Sequence, residues 1–318
     1  MDKLKEFEPI FYPKSIAVVG VSTDEQRPGS MYLDNLLRVG FKGKLYGVNP
    51  RGGKLLGLDV YPNLRSIPEP IDYVIAAISK HRMLDLLDDC KAKGVKVLHI
   101  FTGGYSETGE EGRRLETELV RKARDIGIRI IGPNCAGTSV PSNYTPLGPV
   151  REVAILGKAG QVAFISQSGG NAWFLSEVGR LRGIWFSKII SFGNAADLDS
   201  VDFLEYLAID PETKVIGAYL EGTKDGRRLF RTIKETLKVK PLVIWKAGRT
   251  EAGAQTAASH TGALAGSDII WTVALKQAGA TQVESLEGLA DSLLAFQDLP
   301  INSLMIKLCR FLSRKLLA

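Results

Sequence analysis

Short apolar, β-branched runs alternate with helix-length segments along most of this chain, and the alternation happens twice. The first series is 15–20 (SIAVVG), 44–49 (KLYGVN), 72–78 (DYVIAAI), 95–100 (VKVLHI) and 128–131 (IRII). Short strands joined by helices read as βαβ units, which build parallel sheets. After a Pro- and Gly-containing stretch at 141–160, the pattern resumes with 162–165 (VAFI), 189–192 (IISF), 215–220 (VIGAYL) and 241–245 (PLVIW). The expectation is two α/β domains in series, with a boundary within 141–157. We divide the chain into domains at 1–143 and 144–299 and a tail at 300–318.

Composition supports this and excludes other classes. At about 100–200 residues per domain, 318 residues suit two domains. The 33 glycines exceed the usual ~7% without a collagen-like period, so many tight turns or close backbone–ligand approaches are expected. The formal net charge is +6, but the tail alone, with Lys307, Arg310, Arg314 and Lys315 and no acid, contributes +4. The body is nearly neutral and has no basic stripe interleaved with aromatics, so nucleic acid is not an expected partner. Cys90, Cys135 and Cys309 are too few and too scattered for a disulfide framework or a metal pattern. The N-terminus has no apolar signal region and no apolar run reaches the ~18 residues of a membrane span, so a cytoplasmic protein without integral membrane segments is expected.

In an open α/β sheet, ligands sit beyond the carboxyl ends of the strands. The first strand ends at Gly20, and a polar loop containing Ser22 and Arg27 leads to a helix expected over 31–39, offering backbone N–H groups to a phosphate. The dinucleotide fingerprint G-x-G-x-x-G is missing, because Gly20 is followed by Val-Ser-Thr-Asp-Glu. The second strand ends in Asn49-Pro50, followed by Arg51 and Lys54, where an NAD site would carry an acid. Basic residues there suit a ligand with an extra phosphate, and NADP and coenzyme A both qualify. Two further strand ends, 101–107 (FTGGYSE) and 131–137 (IGPNCAG), complete a rim of small and polar residues.

In the second domain, 165–171 (ISQSGGN) joins a strand to a helix expected over 172–179. Ser166, Ser168, Gly169 and Gly170 are there placed to form an anion nest. A nucleophilic serine is not indicated, since neither Ser166 nor Ser168 stands in G-x-S-x-G. The stretch 248–266 (GRTEAGAQTAASHTGALAG) has few side chains larger than Ala, and His260 is its one imidazole. Long loops of this kind are usually functional. His81, at a helix start, and His99, within an apolar strand, read as structural. With no second histidine or cysteine at ligand spacing, His260 points to base or phosphate-acceptor chemistry instead of a metal site. As a nucleophile it needs an orienting partner, and Glu221, at the end of 215–220, is the candidate.

Taken in order, the Ser-Gln-Ser-Gly, Tyr-Leu-Glu-Gly and Ser-His-Thr-Gly-Ala-Leu-Ala-Gly segments of the second half and the Ile-Gly-Pro-Asn-Cys-Ala-Gly turn before them resemble the NDP-forming acyl-CoA synthetases. The likeness is to the α subunit of succinyl-CoA synthetase and, more closely, to the α part of ADP-forming acetate–CoA ligase, over about 12–297. It implies a Rossmann-like CoA-binding domain followed by a flavodoxin-like domain with a phosphorylated histidine. In such enzymes acyl-CoA and phosphate give an acyl phosphate and free CoA, the phosphoryl group passes to the histidine, and the phosphohistidine phosphorylates ADP. By motif position His260 is the phosphorylated residue and Glu221 its orienting carboxylate, with Ser168, Gly169 and Gly170 at the phosphate. Gly20, Ser22, Arg27, Arg51, Lys54, Phe101, Thr102 and Asn134 surround CoA or the acyl group of a small carboxylic acid. No ATP-grasp or Walker-type loop is present, so Mg²⁺ with ADP/ATP is expected on a separate ATP-grasp β-type subunit in a hetero-oligomer. The resemblance stops near 300, where relatives continue into another α/β domain. The basic tail reads either as an amphipathic surface helix or as the end of a shortened reading frame. Two alternatives stay open, a non-catalytic CoA-binding module and an NADP-dependent oxidoreductase.

Overall fold

The computed structural model describes residues 2–150, 158–248 and 268–299. His260 and the basic tail lie outside the described residues.

The first sheet is formed by β1 (Ser15–Val19), β2 (Lys44–Val48), β3 (Gly53–Leu55), β4 (Leu58–Tyr61), β5 (Tyr73–Ala76), β6 (Val97–Ile100) and β7 (Arg129–Ile131), ordered β3-β4-β2-β1-β5-β6-β7. All neighbours are parallel except β3 and β4. Without the hairpin strand β3, this is the doubly wound order 3-2-1-4-5-6, with its reversal between β1 and β5. All five residues of β1 are buried, as a parallel strand covered on both faces must be. The helices are α1 (Lys3–Phe11), α2 (Pro28–Arg38), α3 (Met83–Ala92) and α4 (Glu110–Asp125). Helix α2 begins three residues before its expected start because Pro28 takes the first helical position, where a missing N–H is harmless.

The second sheet comprises β8 (Gly137–Ser139), β9 (Val162–Ser166), β10 (Phe186–Ser191), β11 (Val215–Leu220), β12 (Leu242–Lys246) and β13 (Thr281–Val283), ordered β13-β12-β11-β9-β10-β8. Strands β9 to β13 are parallel and β8 is antiparallel on β10. The parallel part has the flavodoxin-like order 2-1-3-4-5, with its reversal between β9 and β11. Its helices are α5 (Gly169–Arg182), α6 (Ser200–Ile209), α7 (Gly226–Val239), α8 (Asp268–Ala278) and α9 (Leu286–Asp298). In strand pairing the chain passes between sheets at 132–136, ahead of the 143/144 division drawn from the sequence.

One apolar core runs through both sheets, from Phe7, Ile16 and Tyr32 to Ile190, Leu220 and Ile244. Helix α1 is the bridge. Its Phe7 and Phe11 rings lie 5.1 and 4.6 Å from Tyr206 of α6. A buried acid, Asp197, adds a polar clasp. It accepts hydrogen bonds from Arg124 Nε, Arg129 Nε and the Ile130 N–H at 2.9 to 3.0 Å. Removing one partner of a buried ion pair costs about 3–5 kcal/mol, and the partly exposed arginines can rehydrate. Asp197→Ala is therefore expected to lower unfolding stability by about 3 kcal/mol, seen as a reduced urea midpoint at unchanged slope. A loss under about 1 kcal/mol would contradict a clasp of this strength.

Candidate functional site

A cavity of about 580 Å³ opens at the carboxyl ends of β1 and β2, near the first reversal point, and Gly20, Ser22, Arg27, Asn49, Arg51 and Lys54 line it. Five of these are residues that the sequence assigned to a phosphate-bearing ligand. Gly20 has φ +101°, and a Cβ there would meet the Ala77 carbonyl oxygen at 2.4 Å. Gly29 is equally tight against the Gly20 carbonyl, at 2.4 Å, so the first turn of α2 lies directly on the loop. The loop is pinned by Ser30, whose Oγ accepts from the Ser22 N–H at 2.9 Å and donates to the Ser22 carbonyl at 2.7 Å. Asn49 Nδ2 donates to the Val21 carbonyl at 2.6 Å, and its Oδ1 accepts the Arg51 N–H at 2.9 Å. Asn49 is thus a loop brace at the place where a dinucleotide site keeps its acid. The cations at the mouth are exposed: Arg27 stands 3.4 Å from Asp24, and Lys54 4.0 Å from Asp59.

Phe101, Thr102 and Asn134 are not in the lining of this cavity. They form a second cluster, where β6 and β7 end against the second domain. Thr102 Oγ1 donates to the Ile78 carbonyl at 2.7 Å, and the Thr102 carbonyl accepts the Asn134 N–H at 3.2 Å. Phe101 meets Tyr32 edge-on at 5.7 Å. Asn134 has φ +59°, a left-handed backbone that asparagine tolerates better than most residues. Its loop is tied to the second sheet: the Pro133 carbonyl accepts the Asn194 N–H at 3.0 Å, and Ser191 Oγ accepts the Ala136 N–H at 3.0 Å. His99 supports the loop from below, with Nε2 3.2 Å from the Cys135 carbonyl. Burial lowers its pKa to about 4, so it is neutral at pH 7, in keeping with a structural role. His81 is exposed.

The third group lies at the second reversal point. Ser166 Oγ accepts the Ser168 N–H at 3.1 Å and donates to the Ser168 carbonyl at 2.6 Å, while Ser168 Oγ caps α5 through the Asn171 N–H at 3.2 Å. The first N–H groups of a helix have no partner within it, and Gly169 and Gly170 occupy those positions. A Cβ on Gly169 would lie 3.5 Å from Ala136 Cβ, so this helix end faces the loop that carries Asn134. Gln167, which sequence reasoning passed over, accepts the Glu221 and Gly222 N–H groups with Oε1 at 2.6 and 3.0 Å. Glu221 is 5% exposed. Burial first, and then the Glu221 charge, raise the Tyr219 hydroxyl to about 12. Among the described residues there is no group of three or more His, Cys, Asp or Glu that could hold a metal ion, and no helix long and apolar enough to cross a membrane.

Residues 14–141 match the CoA binding domain family, and 159–296 match the succinyl-CoA ligase like flavodoxin domain family. The α subunit of acetate–CoA ligase (ADP-forming) I from Pyrococcus furiosus is 39% identical over 303 residues, covering 92% of this chain and 64% of that protein. Acetate–CoA ligase (ADP-forming) I from Archaeoglobus fulgidus is 39% identical over 287 residues, 89% of this chain but 41% of its own length. Among solved structures, dinucleotide forming acetyl-coenzyme A synthetase 1 of Ca. Korarchaeum cryptofilum, in complex with phosphate and ADP, superposes with a TM-score of 0.86 at 40% identity, over 93% of this chain and 63% of that one. The chain thus spans between two fifths and two thirds of the length of these relatives.

Proposed function

The chain belongs to the NDP-forming acyl-CoA synthetases, beside the ADP-forming acetate–CoA ligase α chains, and from that membership we propose that it is the CoA- and phosphoryl-handling chain of such an enzyme. The reaction is acyl-CoA + ADP + phosphate to acid + CoA + ATP. CoA takes the cavity at the first reversal point, with Arg27, Arg51 and Lys54 toward its phosphates and the loop from Gly20 to Ser22 along its backbone. The residues suit it: three cations stand at the mouth, and Gly20, which has no room for a side chain, lies in the lining.

Phe101, Thr102 and Asn134 face the thioester end, between the cavity and the start of α5. Phosphate attacks the acyl carbon there, releasing CoA as the thiolate and forming an acyl phosphate. His260 takes the phosphoryl group, freeing the carboxylate, and Glu221 orients the imidazole. The N–H groups of Gly169 and Gly170, behind the Ser168 cap, hold the dianion without a counter-cation that would trap it. Mg²⁺ with ADP/ATP, and the ATP-grasp fold that binds them, belong to a partner chain.

The observation that carries this reading is the siting of an anion-suited loop at both reversal points, with the Asn134 loop joining them. Calorimetry with CoA, dephospho-CoA and NADPH tests it. The expected result is binding of CoA, roughly tenfold weaker binding of dephospho-CoA at low salt as charge-assisted contacts are lost, and a smaller difference at high salt. NADPH binding as tightly as CoA would overturn it in favour of an oxidoreductase.

A further inference from the structure

Asn194 lies in the loop after β10, and its side chain is where the two domains' polar groups converge. It is 5% exposed. Nδ2 donates to Glu107 Oε2 at 2.5 Å, Glu116 Oε2 at 3.1 Å and Ser106 Oγ at 3.3 Å. On the other side, Oδ1 accepts Asn134 Nδ2 at 3.4 Å. This orientation is dictated by chemistry. Glu107 and Glu116 both turn carboxyl oxygens, which are acceptors, to one end of the amide, and this fixes that end as the NH₂. Burial pushes the Glu107 carboxyl up, but the bonds from Asn194 and from the Gly104 and Tyr105 N–H groups outweigh it and hold the group below its ordinary value, ionised at pH 7.

With its NH₂ so fixed, Asn194 turns its oxygen to Asn134, which must answer with its own NH₂. Asn134 has little choice of backbone either: its φ is +59°, its N–H is held by Thr102, and Gly193 packs so closely that a Cβ would lie 2.3 Å from the Asn134 carbonyl oxygen. A residue kept in a sparsely populated conformation by contacts on every side is a mark of a functional position.

We infer that Asn194 is a positioning residue: together with Glu107 and Glu116 it sets the direction of the Asn134 amide, and Asn134 meets the acyl end of a bound acyl-CoA. This rests on the CoA reading above. Asn194 belongs to the second domain and Asn134 to the loop between the sheets, so the relay also registers the thioester end against the start of α5.

The test is a double-substitution cycle on the whole chain, with calorimetric affinities for acetyl-CoA and for CoA as the probes. Asn134→Ala and Asn194→Ala are each expected to weaken acetyl-CoA about tenfold while moving CoA less than twofold. The double variant is expected to lose about tenfold in total, not a hundredfold, because Asn194 acts through Asn134. Unchanged CoA affinity also reports that each variant keeps its first domain folded. Equal losses for both probes, no loss for either, or additive losses in the double variant would overturn the inference and leave the CoA reading standing. Failure of the unsubstituted chain to bind CoA at all would overturn both.

Discussion

Lys188→Met is expected to lower the unfolding free energy by about 3–5 kcal/mol, the usual cost of stranding a buried charge. The Lys188 side chain is fully buried in β10, and its ammonium donates to Asp210 at 2.8 Å and Glu212 at 2.9 Å. Asp210 is itself 2% exposed, so the carboxylate left behind cannot rehydrate in place. Desolvation alone would push the Lys188 pKa down, but the two acids hold it above its ordinary value and keep it charged. Around the ammonium stand the rings of Phe11, Tyr12 and Tyr206, at 5.4 to 5.8 Å. The Tyr12 hydroxyl donates to Glu212 at 2.5 Å. Burial and that acid raise it to about 12, so it remains a donor throughout the physiological range. The cluster therefore joins the end of α1 to the second sheet, and its loss should loosen the interface that aligns the two loops at the reversal points. Urea titration followed by tryptophan fluorescence checks this. A loss below about 1 kcal/mol would show that the ion pairs contribute little to the interface.

The second large effect concerns chemistry instead of stability. Glu221→Gln is expected to slow phosphoryl transfer by roughly 10²- to 10⁴-fold, as removal of an orienting carboxylate does at other imidazoles, while unfolding stability moves little. Glu221 begins the loop at the second reversal point, and its backbone is fixed by Gln167 from the strand that leads to Ser168. One side chain thus ties the position of the carboxylate to that of the start of α5, the proposed phosphate cradle. An amide in place of the carboxylate keeps the shape but cannot stabilise an imidazolium, so the rate should fall without loss of CoA binding. A variant with less than a threefold change in rate would remove Glu221 from the account.

Much of this was legible from residues alone. Short continuous apolar runs such as 162–165 and 215–220, bounded by turn residues, suit strands covered on both faces, and they are β9 and β11. Helix α5 starts at Gly169, three residues before the expected position, because Ser168 caps it and the cap, not the first apolar residue, sets the start. The hairpin β3–β4 escaped notice because its strands are short and half-exposed, and its turn holds Leu56 and Gly57 at positive φ. Strand β8 has three residues and gains its identity only from β10, 50 positions away in the Ile189–Ser139 pairing. Helix α1 carried no sign of its bridging role, since its partners in α6 are remote in sequence. For the site, the glycine and cations that the sequence puts at strand ends do line one cavity, Gly20, Arg27, Arg51 and Lys54 among them. Asn194 and Gln167 gave no signal. A buried amide is defined by the groups that turn toward it, and those come from both domains.

The most direct test of the central claim is the fate of labelled phosphate. With an ATP-grasp partner chain, Mg²⁺ and γ-labelled ATP, acid-labile, base-stable label is expected on this chain, located at His260, absent in His260→Asn and discharged by adding the cognate acid with CoA. Label that persists in His260→Asn, or that resists acid, would contradict it.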